Sequence, residues 1–383
     1  MELSVVIPCL NEVETIGRVV ETAHAALRKE GLSGEVVVAD NGSNDGSQAA
    51  ALARGARVVD VAIKGYGGAL DGGIQASLGK CVIFADADES YDFGEAGKFW
   101  RRLQTGAELV VGTRFPRAGG ILDPGAMPWL HRWVGTPVIS AIGRVLYGSQ
   151  LSDFNCGMRA ITRAAYDRLN LRTTGMEYAS EMIIKASLFD LRIEEVPIHF
   201  HKDGRGKSPH LRTFRDGWRH LRFMLICSPR WLFLYPGLAM ATIGLLGMLL
   251  LLPGAVHIAH VSFDTNTLLV CAMLLLLGQQ LVSLGTVAKF YAVQIGMHPR
   301  SRSAERLQDM FHLEGWASAG LLLSLAGMGL LLFGVVIWHD VDFGLLSYPD
   351  SLRIVIPGVT LIMLGMQIIF GSFLISMVSR VHQ

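Results

Sequence analysis

Charge is scarce in this chain. Charged residues make up 17% of its 383 positions, against 51% hydrophobic, and mean hydropathy is +0.38. A chain this apolar is neither disordered nor an ordinary soluble protein, and its length suits two domains. Cysteine is sparse as well: Cys9, Cys81, Cys156, Cys227 and Cys271 are scattered, and no two form a C-x-x-C pair. That excludes a disulfide framework and a cysteine zinc site, and it suits a reducing compartment. With a net charge of +1 there is no excess of basic residues to argue for nucleic acid as a partner. A Walker sequence, an HExxH pair, internal repeats and low-complexity stretches are all missing. Residues 1–8 are a short strand-like run followed at once by polar residues, which is not a signal peptide. Gly65-Tyr66-Gly67-Gly68 fails as a dinucleotide fingerprint, because Leu70 stands where the last glycine belongs and the first strand lies elsewhere.

The few charges are unevenly spread. From Trp231 onward only six of the 34 Lys/Arg and seven of the 33 Asp/Glu remain. In that part four apolar runs, 231–252, 267–288, 316–338 and 354–378, are each long enough to cross a hydrocarbon core of roughly 30 Å. Lys289, Arg300, Arg302 and Arg306 lie between the second and third runs. Residues 253–266 carry no Lys or Arg, and the last connection holds Asp340, Asp342 and Asp350 against Arg353. The asymmetry predicts that both termini and the central loop face the cytosol, as does the N-terminal domain. Ahead of the first run, Leu211, Phe214, Trp218, Leu221 and Leu225 form one helical face, and Arg212, Arg215, Arg219 and Arg222 follow one residue later. An apolar stripe beside a basic one suits a helix in the headgroup plane. Gln279 and Gln280, in mid-run, are expected to face other helices. The expected division is a cytosolic domain over 1–210, an interfacial amphipathic helix over 211–228 and a membrane domain over 229–383.

The first 210 residues alternate strand and helix. Strands are expected at 3–7, 36–39, 58–61, 81–85 and 109–111. Asn11 reads as the cap of a helix, with Glu14 completing a capping box, Val13, Ile16, Val20 and Leu27 as its buried stripe and Gly31 as its stop. A second helix is expected at 67–78. The pattern predicts an α/β fold with a mostly parallel, doubly wound sheet, whose ligands bind beyond the carboxyl ends of the strands. Those ends carry residues 8–12, 40–43 and 86–90. Asp86 and Asp88 flank one small residue directly after a buried strand. Carboxylates this close repel unless a cation neutralises them, and a hard divalent ion holding a diphosphate is the natural partner. Asp40 either caps the next helix or accepts a hydrogen bond from a base or ribose.

The stretches VVIPCLNEVETI, VVVADNGSNDGS, KGYGGALDGGIQASLGKCVIFADADESYDF and VVGTRF stand in this order. In order and spacing they resemble family 2 glycosyltransferases of the GT-A fold. The polyprenyl-phosphate type, represented by dolichol-phosphate mannose and glucose synthases, is the nearest. The motifs span about residues 3–210. The resemblance implies a Rossmann-like GT-A domain, a nucleotide-sugar donor, Mg2+ or Mn2+, and a polyprenyl phosphate acceptor at the bilayer. It leaves a homo-oligomer open.

Residue by residue, the resemblance places Pro8, Leu10, Asn11 and Glu12 along the nucleotide site. Leu10 stands where many members carry an aromatic residue. Asp40 matches the acidic residue that reads the base, and Asn41 replaces a second Asp. Lys64 and Ala87 join the donor-binding set. Asp86 and Asp88 match the metal-binding pair, with Ser90 at the place of a further ligand in some relatives, so that water completes the coordination. Asp153 matches an acidic residue near the acceptor, and Arg114 sits at a strand end near the metal site. Arg132, Glu181, Arg205 and Lys207 are assigned to the acceptor and its phosphate, since guanidinium forks suit phosphate oxygens. Glu177 lies one helical turn before Glu181.

The expected reaction is an inverting transfer of a hexose to the lipid phosphate at the cytosolic face of the cell (inner) membrane. The GYGG and DESYDF variants lie nearer to glucose-type relatives, which favours UDP-glucose. GDP-mannose is the alternative. A processive polysaccharide synthase is a further rival, but its QxxRW sequence is broken here by Cys227 ahead of Arg230-Trp231.

Overall fold

The computed structural model describes residues 1–204, 213–299 and 312–380. The chain divides into two units, Met1–Met224 and Leu225–Gln383. In the first, strand β1 (Leu3–Cys9) is buried along its whole length, as its unbroken apolar run demands of a strand covered on both faces. It pairs in parallel with β2 (Gly34–Asp40) on one side and β4 (Cys81–Phe84) on the other. Strand β3 (Arg57–Asp60) extends the sheet beyond β2. Past β4 lie β7 (Arg159–Thr162), β5 (Leu109–Thr113) and β8 (Ile193–Pro197), for an order of β3-β2-β1-β4-β7-β5-β8. Only β7 runs antiparallel to its neighbours. Strand order reverses between β1 and β4, so a crevice opens beyond their carboxyl ends. Helices α1 (Ile16–Lys29), α2 (Ser47–Ala53), α3 (Tyr66–Ala76), α4 (Ala96–Gln104), α5 (Thr136–Tyr147), α6 (Arg163–Leu169) and α7 (Tyr178–Leu188) connect the strands. Two residues each from β6 (Ile121–Leu122) and β9 (His199–Phe200) form a small parallel pair.

The structure corrects the expected start of the first helix. Helix α1 begins at Ile16, after Thr15. Asn11 does not cap it: its backbone is left-handed at φ 59°, and its side-chain oxygen accepts from the Asn44 N–H at 2.9 Å. Val13 is exposed, while Ile16, Val20 and Leu27 are buried. Asn11 thus ties the loop after β1 to the loop after β2.

Helix α8 (Thr213–Ile226) ends at the boundary between the units. Its inward line is His220 and Met224, both buried. His220 Nδ1 hydrogen-bonds Ser180 Oγ of α7 at 2.7 Å, and the Tyr147 hydroxyl donates to the Met224 carbonyl. Trp218, Arg215, Arg219 and Arg222 are exposed, whereas Leu221 and Leu225 are half-buried, so the described part of the expected stripe is split between outside and inside; Leu211 and Arg212 lie outside the described residues. A second apolar surface has no periodic signature in the sequence. Trp129, Trp133, Val138 and Val145, on and before α5, are all exposed, the two tryptophans by 69% and 61%.

The second unit has four helices long and apolar enough to cross a membrane: Arg230–Leu251, Thr265–Gln294, Leu313–His339 and Tyr348–Val378. The strands Val256–Ile258 and Val261–Phe263 form a hairpin between the first two. Arg353, at the start of the fourth helix, pairs with Asp264 at the start of the second. Gln279 is half-buried, but Gln280 lies on an exposed face, against expectation. The helices meet through glycines. A Cβ at Gly327 would lie 2.5 Å from the Gly358 carbonyl, and one at Gly320 would lie 2.6 Å from the Gly365 carbonyl. Between apolar helices in lipid, close backbone approach supplies much of the association that water supplies elsewhere. Gly327→Leu should therefore lower the thermal midpoint of the detergent-solubilised protein by several degrees. Gly329→Leu, at a position where a Cβ would meet nothing within 4 Å, should leave it unchanged. Equal midpoints for the two variants would refute glycine-mediated packing.

Candidate active site

Three loops follow the carboxyl ends of β1, β2 and β4. Asp40 closes β2 and is almost wholly buried. Its Oδ2 accepts from the Gly42 and Ser43 N–H groups, both at 2.9 Å, and from Gln48 Nε2 at 2.8 Å. Burial opposes the charge, but the Ser43 and Gln48 bonds outweigh it and hold the carboxyl below its ordinary range. Its Oδ1 is buried without a hydrogen-bond partner among the described residues. A fixed, ionised carboxylate with one unengaged buried oxygen is suited to read a donor group on a ligand. The adjoining Asn41 is spent on the protein itself. Its amide donates to the Val61 and Ile63 carbonyls at 3.0 and 2.8 Å, and its oxygen accepts from the Gly65 N–H at 2.9 Å. Asn41 thereby shapes the loop that carries Lys64, whose Nζ donates to the Asn41 carbonyl at 2.6 Å.

From β1, Pro8 is buried, Leu10 is exposed and Glu12 is buried, with the Glu12 N–H donating to Ser47 Oγ at 2.8 Å. Thus the residues expected along the donor site share one sheet edge. The loop after β4 completes it. Ala87 and Asp88 are buried and Asp86 is half-buried. Asp88 Oδ1 accepts from the Ser90 N–H at 3.1 Å and the Ser90 hydroxyl at 2.5 Å. Ser90 therefore clamps the Asp88 carboxylate in place. Asp86 is hydrogen-bonded to Tyr66, the first residue of α3, and burial together with the Asp86 charge pushes that hydroxyl well above its ordinary pKa. Glu89, at φ 63°, turns the loop and receives Arg18 through two bonds of 2.5 and 2.6 Å. Two oriented carboxylates from one loop make a hard oxygen donor set that fits Mg2+ or Mn2+. Tyr66 belongs to the GYGG stretch, so its signal is present in the sequence, but there it reads as a failed dinucleotide motif and as part of the family resemblance, not as a partner of Asp86.

On the other side of β4, Arg114 and Asp153 meet each other. Arg114 Nε and Nη2 donate to the two Asp153 oxygens at 2.7 and 2.9 Å. Asp153 is fully buried and Arg114 nearly so. Burial disfavours the guanidinium charge, but the Asp153 carboxylate more than offsets this and raises the Arg114 pKa well above its ordinary value. The Arg114 fork also lies 5.1 Å from the Phe200 ring. Glu181 is likewise engaged within the protein. It pairs with Lys185 at 2.9 Å and accepts from the Thr173 N–H and hydroxyl at 2.8 and 2.7 Å. It holds the 172–174 loop in place, and the Thr174 carbonyl accepts from the Gly68 N–H in α3. Arg132 is half-buried and stacks over Trp133 at 5.2 Å. Arg205 and Lys207 lie outside the described residues. Asn155 Oδ1, which the sequence did not single out, and Glu177 Oε2 are buried without hydrogen-bond partners among the described residues.

Residues 4–169 match glycosyl transferase family 2, and residues 286–379 match the glycosyltransferase family 2 C-terminal transmembrane region. The chain is 36% identical to the low-salt glycan biosynthesis hexosyltransferase Agl6 of Haloferax volcanii, over 97% of this chain and 88% of that protein. It is 29% identical to a dolichyl-phosphate hexose transferase of the same organism, over 56% of this chain and 89% of that one. A solved structure of glucosyl-3-phosphoglycerate synthase from Mycobacterium tuberculosis aligns over 58% of this chain and 79% of its own, at 23% identity and a TM-score of 0.47. The match to Agl6 along nearly the whole chain and the two family 2 regions agree with the mostly parallel mixed sheet and the four apolar helices. The chain belongs to glycosyltransferase family 2, as a hexosyltransferase with a C-terminal membrane region.

Proposed function

We propose that this protein transfers a hexose from a nucleotide sugar to the phosphate of a polyprenyl lipid at the cytosolic face of the cell (inner) membrane. The observation that carries the reading is the joining, in one chain, of a crevice holding Asp40, Asp86 and Asp88 to a membrane unit. The relative named for dolichyl-phosphate hexose transfer supports a lipid phosphate as acceptor. The exposed Trp129, Trp133 and Trp218 support a surface that meets a headgroup layer, where tryptophan is favoured. UDP-glucose is the favoured donor and GDP-mannose the alternative, since uracil and guanine both offer a hydrogen-bond donor to Asp40 Oδ1.

The roles are assigned from the family resemblance together with the geometry of the described residues. Asp40 orients the base, with Pro8, Leu10, Asn11, Glu12 and Lys64 around the nucleotide. Asn41 shapes the loop that carries Lys64. Asp86 and Asp88 would hold a divalent metal, which supplies electrostatic stabilisation of the leaving diphosphate. The lipid phosphate oxygen attacks the anomeric carbon in line with the departing diphosphate, so the configuration inverts. A phosphate is already anionic at pH 7, and no strong general base is required. The fork between Arg114 and Asp153 agrees with that. Asp153 is a positioning group that holds Arg114 beside the crevice, not a proton acceptor. Glu181 acts through the 172–174 loop, and Arg132, Arg205 and Lys207 are assigned to the acceptor phosphate.

Asp88→Asn keeps a carbonyl oxygen to accept from Ser90 but removes the charge. Turnover should fall at least about a hundredfold, or about 3 kcal/mol of barrier, with the melting midpoint unchanged. Near-normal turnover in the variant would remove the carboxylate pair from the mechanism.

Orientation is testable because the five native cysteines are all buried. A cysteine introduced at Ser262 or Ser347 should react with an impermeant thiol reagent added to whole cells, and one at Ser301 should react only after lysis. The reverse pattern would put the first unit outside the cell.

A further inference from the structure

Two imidazoles and a carboxylate converge where β6 and β9 end. Asp123 follows β6 directly, and His199 and His201 flank Phe200. A strand turns alternate side chains to one face. The two histidines therefore share a side, while Phe200 packs edge-on against Tyr91 with ring centroids 4.9 Å apart. The parallel register sets Ile121 against His199 and Leu122 against Phe200, and the Asp123 N–H donates to the Phe200 carbonyl at 3.1 Å. Asp123 is brought level with both rings. Its Oδ1 lies 2.7 Å from His199 Nε2 and its Oδ2 lies 3.1 Å from His201 Nδ1. One ligand atom from each residue falls within 4.8 Å of the other two.

These separations are near those of a metal's ligand shell. Nitrogen and oxygen ligands at about 2.0–2.1 Å from a tetrahedral ion lie about 3.3 Å from one another. All three side chains are about one-third exposed, at 33%, 35% and 36%, so water can reach a fourth position. Two imidazoles with one carboxylate form a softer set than the all-oxygen pair Asp86 and Asp88, and they select a different class of ion.

We propose that Asp123, His199 and His201 form a binding site for one divalent transition-metal ion of the zinc type, with water as the fourth ligand. The ion is additional to any held by Asp86 and Asp88, and its role is to pin the segment that supports them. The His201 N–H donates to the Ser90 carbonyl and the Gly204 N–H to the Asp88 carbonyl, both at 2.9 Å. A metal on the histidines fixes this backbone against the loop that carries the carboxylates.

The test uses untagged full-length protein in detergent, with Asp86→Asn and Asp88→Asn introduced to remove the oxygen site. Co2+ is titrated while visible absorption is followed. One equivalent should bind with a visible band, and one equivalent of Zn2+ should abolish that band. His199→Ala and His201→Ala, each added to this background, should lose it, with affinity falling at least about a hundredfold. If either alanine variant does not fold, Asp123→His decides: exchange of an oxygen ligand for nitrogen should move the band, and an unmoved band overturns the site. No band in the double-asparagine protein, or a band that persists in both folded histidine variants, also overturns it. The three groups would then be a hydrogen-bonded triad without metal.

Discussion

Buried like charges constrain this molecule more than any other feature. Asp40, Asp86 and Asp88 occupy neighbouring strand ends of one sheet, and removing carboxylates from water costs several kcal/mol each unless something compensates. The compensation is largely built in. Backbone N–H groups and Gln48 hold one oxygen of Asp40, Ser90 holds Asp88, Tyr66 meets Asp86, and Arg18 takes the adjacent Glu89. Each carboxylate is thereby oriented before any ligand arrives, which lowers the ordering cost of binding. Left-handed backbone at Asn11 and Glu89, uncommon for residues with a side chain, allows the loops to turn tightly enough to do this.

The far side of β4 follows a different logic. Charges there are neutralised in pairs within the protein: Arg114 with Asp153, and Lys185 with Glu181. Arg159, on β7, is wholly buried and donates to the carbonyls of Cys156, Phe154 and Ala179. Burial lowers its pKa, yet a guanidinium remains charged at any physiological pH.

The parallel half of the sheet was legible because its strands are continuous apolar runs ending in polar loops. Strands β1 to β5 all lie where the pattern places them, as do the four membrane helices. Strand β7 was not legible, because a four-residue strand that begins with a buried arginine looks polar by composition. That the proposed donor residues gather at one sheet edge could be read from their positions at strand ends. What each side chain binds could not, since Asn41 and Glu181 are committed to backbone groups 20 and 8 residues away that no local pattern marks. The same holds for Asp123 and the two histidines, which lie 76 and 78 residues apart and meet only through the pairing of β6 with β9. The capping expectation at Asn11 failed because a long-range bond to the β2 loop outcompeted the local one.

The most direct measurement is the identity of the product. Purified protein in liposomes would be given radiolabelled UDP-glucose or GDP-mannose with Mg2+, and either polyprenyl phosphate or the corresponding polyprenol. The account predicts a single sugar joined to lipid through one phosphate, of inverted anomeric configuration, with one of the two donors and only with the phosphorylated lipid. Equal transfer to polyprenol, or a polymeric product, would contradict it.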